Sequence, residues 1–237
     1  MCGYFTMQFT ILILFFIDAS EYDIKKILLV SGLSAKSIEG RQNIWELGNE
    51  LEGDILSDEN VHRRNLLADE KYRWPNYTVP LEFDAVYDIE QRQWVMESLK
   101  DITKISCVKF RLRVNDDEDY VFITHQRPGC NSYTGRIGGR QILNLKPSKP
   151  GRGCFQKYVI VHEFLHVLGF LHQQSVHNRD DYVLIHYENI KLGKERNFKK
   201  YEPSNDTNLD EVYDYRSIMH YSSFAKSVNG EKTIEAK

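Results

Sequence analysis

The sequence predicts an α+β domain from three features: short runs rich in Val, Ile, Phe and Tyr at strand length, an amphipathic helix between the first two runs, and a strongly apolar helix after the last. Thr78 to Phe83 reads as the first strand. Over Ile89 to Ile105, Val95, Leu99 and Ile102 recur at three- and four-residue spacing, with Trp94, Met96 and Ile105 beside them, which is the stripe of a helix lying on a core. Val108 to Val114, Tyr120 to His125 and Gln141 to Leu145 read as further strands, punctuated by Pro128-Gly129, Gly138-Gly139 and Pro150-Gly151. The second helix starts at Tyr158, in YVIVHEFLHVLGFLH.

A chain of 237 residues that is 41% hydrophobic fills one main core. Its 31 Lys and Arg against 34 Asp and Glu give a formal charge of -3, without the basic excess that binds nucleic acid through phosphates. Residues 1–19 contain an apolar run, Phe9 to Ile17, too short to span a bilayer and suited to the core of a secretory signal peptide, although no Lys or Arg precedes it. The expectation is a secreted, extracellular protein with no stable membrane span. Residues 20–64 have scattered charge and no sustained period, and read as a pro-segment. They end at Arg63-Arg64, either a site for an activating protease or an ordinary surface pair. Residues 65–237 are then the catalytic domain. Asn76-Tyr77-Thr78 and Asn205-Asp206-Thr207 are glycosylation sequons, so a secreted chain carries a glycan on at least one of Asn76 and Asn205. Of the cysteines at 2, 107, 130 and 154, the first leaves with the leader, and an odd three remain.

His162 and His166 lie four apart on the apolar helix, so one turn stacks both imidazoles where they reach one ion. Such a pair alone is more often buried and hydrogen-bonded. Here Gly169 follows, able to end the helix and turn the chain, and His172 comes three residues later to complete HExxHxxGxxH. Three neutral imidazoles leave a position open for water, the arrangement of a catalytic site binding one Zn2+ per chain. Glu163, beside the first ligand, is the candidate general base. Met219, within YDYRSIMHY, reads on its own as core filler. After the long zinc motif it reads as a Met-turn, the mark of the metzincins and their zincin-like fold of two subdomains with a twisted mixed sheet.

Within the metzincins the chain resembles the astacin family, through RDDYVLI (Arg179 to Ile185), SIMHY (Ser217 to Tyr221) and GCNSYTGRIGGRQ (Gly129 to Gln141), from about Leu51 onwards. The resemblance implies an endopeptidase made as a zymogen that hydrolyses internal bonds of protein or peptide substrates. It implies that Tyr221, otherwise a packed aromatic, is a further zinc ligand that swings away to steady the oxyanion. It implies that Asp54 in Leu51-Glu52-Gly53-Asp54-Ile55, by itself a turn residue, ligates zinc in the precursor. Gln173 stands where astacins usually have Glu. The resemblance pairs Cys130 with Cys154, and matches Cys107 to a cysteine whose partner lies in a family C-terminal part that this chain lacks. That shortfall leaves an alternative: an inactive relative that binds zinc and peptide without cleaving.

In such a fold Gln141-Ile142-Leu143-Asn144-Leu145 is expected at the sheet edge lining the cleft, where an extended substrate adds itself as one more strand.

Overall fold

The computed structural model describes residues 42–56, 70–201 and 213–237. Its frame is a six-stranded mixed sheet packed on two helices, in agreement with the α+β expectation. The strands are β1 (Ile55–Leu56), β2 (Thr78–Phe83), β3 (Lys109–Leu112), β4 (Tyr120–Thr124), β5 (Cys130–Tyr133) and β6 (Arg140–Leu145), in spatial order β1-β5-β6-β4-β2-β3. The pairs β2·β3, β2·β4, β4·β6 and β1·β5 are parallel, and β5·β6 is antiparallel. Helix α1 (Ile89–Ile105) opens with a capping box, in which Asp88 accepts from the Gln91 N–H and the Gln91 side chain accepts from the Asp88 N–H. Its buried Val95, Leu99 and Ile102 are the stripe read from the sequence.

Helix α2 (Lys157–Val167) is buried from Val159 to Val167, which explains its apolar character all round. It ends at Gly169, whose φ of 105 is left-handed. There the Gly169 N–H donates to the His166 carbonyl, and the Phe170 N–H to the Leu165 carbonyl, closing the last turn. One core gathers Val79, Leu81, Val121, Ile123, Leu143 and Leu145 from the sheet with both helices. A smaller second core contains Val183, Ile190, Phe198, Tyr213, Tyr221 and Ile234. Beside it lies the antiparallel pair β7 (Val183–Ile185) and β8 (Ile234–Ala236).

The edge expectation for Gln141 to Leu145 is corrected by this topology. Strand β6 is interior, paired with β4 on one side and β5 on the other. Its residues are built for that place: Leu143 and Leu145 are buried, and so are Gln141 and Asn144. Gln141 Nε2 donates to the Gly135 carbonyl at 2.9 Å, and Asn144 Nδ2 to Arg127 at 2.7 Å and Gly129 at 2.9 Å. A strand saturated in this way has no ladder to offer a peptide. Its antiparallel neighbour is β5, whose Cys-Asn-Ser composition gives no apolar alternation, and whose outer side is covered by β1.

Among the described residues no helix is long and apolar enough to cross a membrane.

Candidate metal centre

Helix α2 carries His162 and His166 on one face, and the turn at Gly169 returns His172 to meet them. Asp54, just ahead of β1, reaches the same point, and one ligand atom from each of the four lies within 4.8 Å of the others, all buried. Asp54 Oδ2 is 2.8 Å from His162 Nε2 and 3.6 Å from His166 Nε2, and Oδ1 is 3.5 Å from His172 Nε2.

The outer nitrogens fix what the inner ones are. His162 Nδ1 is 2.8 Å from the Ile218 carbonyl, His166 Nδ1 is 2.8 Å from the Phe170 carbonyl, and His172 Nδ1 is 2.8 Å from Glu52 Oε2. A carbonyl can only accept, so Nδ1 of His162 and of His166 carries the proton, and their Nε2 atoms present lone pairs inward. Among the described residues, Asp54 Oδ1, His166 Nε2 and His172 Nε2 are buried without a hydrogen-bond partner. Lone pairs and a carboxylate converging in a buried site are a donor set for a cation, and three imidazoles with one carboxylate suit zinc.

Charges in the cluster follow from burial and neighbours. Burial works to raise Asp54, but the facing His172 and His166 outweigh it and hold its carboxyl well below the usual range. Burial pushes His162 down to about 4. It acts the same way on His172, where the combined pull of Asp54 and Glu52 prevails and takes the group up to about 10. Glu163 is raised well above an ordinary carboxylate, first by burial and then by the charge of Asp54. Neither Glu163 carboxylate oxygen has a hydrogen-bond partner among the described residues.

The turn at Met219 closes the floor. Met219 is buried in the main core, its carbonyl accepts from the Gln173 N–H at 3.0 Å, and its neighbour Ile218 holds His162. A single tight turn therefore braces one ligand directly and the segment after another. Tyr221 lies with its ring centroid 5.1 Å from that of His172, and its hydroxyl donates to the Glu52 carbonyl. Burial, followed by the charge of Glu52, raises its phenol well above the usual value.

Several contributors carry no pattern in the sequence. Trp45 stacks on His162 with ring centroids 4.0 Å apart. Glu46 is buried and accepts from Ser222 N at 2.6 Å, Ser222 Oγ at 2.7 Å and Asn43 Nδ2 at 2.6 Å. Burial pushes Glu46 up to about 7 despite those bonds. Glu52, adjacent to the Gly-Asp pair, is legible only as part of its motif.

Cys130 and Cys154 are joined in a disulfide with Cα atoms 5.6 Å apart, tying β5 to the approach of α2, and Cys107 lies outside that bridge. Asn76 is exposed at a turn, with a φ of 52. Asn205, Arg63, Arg64 and residues 1–19 lie outside the described residues.

A family model described as Astacin, a peptidase family, matches residues 66–237. The chain is 36% identical over 200 residues to zinc metalloproteinase nas-4 of Caenorhabditis elegans, covering 81% of this chain and 62% of that protein. It is 39% identical over 188 residues to seminal metalloprotease 1 of Drosophila melanogaster, covering 77% of this chain and 74% of that one. The chain thus spans less than two thirds of the nas-4 protein's length. Among solved structures it is similar to high choriolytic enzyme 1, a hatching-enzyme zinc protease of Oryzias latipes, with a TM-score of 0.62, 32% identity and coverage of 69% of this chain and 79% of that one.

Proposed function

The chain belongs to the astacin family of zinc metallopeptidases, and from that premise we propose that it is the latent precursor of a secreted zinc endopeptidase. The observation carrying this reading is the convergence of Asp54 with His162, His166 and His172. Residues 1–19 would be the signal peptide, 20–64 the pro-segment and 65–237 the catalytic domain. An activating protease cutting near Arg63-Arg64 would release the pro-segment, and Asn76, exposed at its turn, would carry a glycan.

Zinc supplies Lewis-acid polarisation of water and of the substrate carbonyl. The residues of the chain do the rest. Glu163, adjacent to the first ligand and with both carboxylate oxygens uncommitted, is suited to take a proton from the attacking water and hand it to the leaving amine. While Asp54 stands among the three histidines it takes the position where the water that Glu163 would deprotonate has to sit, so the base has no partner. Tyr221 already donates to a peptide carbonyl, that of Glu52. Once the pro-segment leaves, the same hydroxyl is free to donate to the oxyanion of a substrate peptide. Strand β5, uncovered by departure of β1, would take an extended substrate by main-chain bonds.

Glu163→Gln in the activated protein tests the assignment. Bound zinc should stay at one per chain while peptide hydrolysis falls by about three orders of magnitude or more. Undiminished turnover would end the proposal.

A further inference from the structure

The three imidazoles are not oriented by the same part of the chain. The outer nitrogens of His162 and His166 rest on carbonyls of Ile218 and Phe170, both within the region matched by the family model. His172 rests on the carboxylate of Glu52, which lies upstream of that region. The placement of Glu52 is specific. Its φ of 47 is left-handed, a conformation costly for a residue with a side chain, and it is followed by Gly53 at 91. A Cβ on Gly53 would come within 2.5 Å of the Trp45 carbonyl oxygen, so the loop that delivers Glu52 cannot be rebuilt with a bulkier residue there.

Four contacts hold Glu52 once delivered, all to the downstream half. Oε2 accepts from His172 Nδ1 at 2.8 Å, Oε1 accepts from the Tyr201 hydroxyl at 2.6 Å, its N–H donates to Asn197 Oδ1 at 3.2 Å, and its carbonyl accepts from Tyr221. Both carboxylate oxygens are therefore committed, one to the ligand and one to a brace. A buried carboxylate fixed in this way sets the imidazole orientation and tautomer and makes its inner nitrogen a better donor.

We propose that Glu52 is a positioning residue for His172, so that the pro-segment contributes to zinc binding twice: Asp54 at the ion and Glu52 behind the third ligand. The pro-segment then assembles the metal site as well as blocking it. Cutting it away removes the carboxylate that orients His172.

The inference rests on zinc occupying this cluster, and the test separates the two ideas. Zinc affinity of the intact precursor is measured by competition with a chromophoric chelator. A parent chain that takes up no zinc refutes the metal-centre reading itself. Given that it does, Glu52→Ala should weaken affinity by about 10- to 100-fold. Glu52→Gln retains an acceptor at the same distance and should recover most of the loss, whereas Glu52→Met, of similar length but without that acceptor, should not, a split that a purely steric role does not forecast. Glu52→Asp keeps the charge but withdraws the oxygen by about one carbon–carbon bond, and should behave like the alanine variant. Should alanine fail to fold, the Gln and Asp variants decide alone. Parental affinity in Glu52→Asp, or equal loss in Gln and Asp, would overturn the proposal.

Discussion

The two halves of the molecule are held together differently. Upstream, from β2 to the end of α2, side chains of five of the sheet's six strands and two helices interlock in one continuous core, and His162, Glu163 and His166 stand on the most buried element in it. Downstream, the described residues from His172 to Ala236 form turns, short 3-10 helices and two three-residue strands around a small core. That half leans on residues 42–52. Glu46 holds Ser222, Glu52 holds Tyr201 and Tyr221, the Gly48 carbonyl accepts from Lys226, and Gln42 donates to the Phe224 carbonyl. On the proposed precursor reading, the segment that brings Asp54 to the histidines also splints the half contributing the third of them and Tyr221.

The largest expected effect sharpens this contrast. Phe164→Ala, in the upstream core, should cost about 3–5 kcal/mol of global stability and release amide protection everywhere. Phe198→Ala removes a ring just as deeply buried, but downstream. Its loss of protection in hydrogen exchange should be confined to residues 183–198 and 213–236, leaving α1 and α2 slow. Equal loss in both halves from both variants would show one cooperative unit and dissolve the distinction.

The same contrast explains what the sequence discloses. The upstream elements bury side chains through regular periods, so Thr78–Phe83 and Ile89–Ile105 are legible to the residue, and the ligand spacing on α2 follows from the helical turn. Strand β5 escapes such a reading because small polar residues occupy it, and β6 is mistaken for an edge because strand order depends on pairings that no local pattern encodes. Downstream, the ordering contacts are isolated hydrogen bonds between distant residues, such as Lys226 with the Gly48 carbonyl, and nothing in either neighbourhood announces them. The motif ending in Met219 and Tyr221 is readable there through family resemblance, not through periodicity.

A smaller effect concerns the splint itself. Buried Glu46 is raised to about 7, while in the free pro-segment it titrates near 4.5. The docked state thus binds the proton more tightly, so docking is strongest below the free value and weakens as pH rises to about 7. The change amounts to at most about 3 kcal/mol. It should appear as faster dissociation of the cleaved pro-segment at pH 7 than at pH 5. Glu46→Gln can keep the amide oxygen toward Ser222 N–H and donate to Ser222 Oγ, and should flatten that dependence. A variant with the parental pH profile would place the control elsewhere.

In the proposed precursor a carboxylate from residues 20–64 completes a metal site built by three imidazoles, and anomalous diffraction at the zinc edge on crystals of the intact chain reads that arrangement. One peak per chain is expected at about 2.0–2.2 Å from Nε2 of His162, His166 and His172 and from an oxygen of Asp54. A peak bound by the three histidines and a water, with Asp54 turned away, would contradict it.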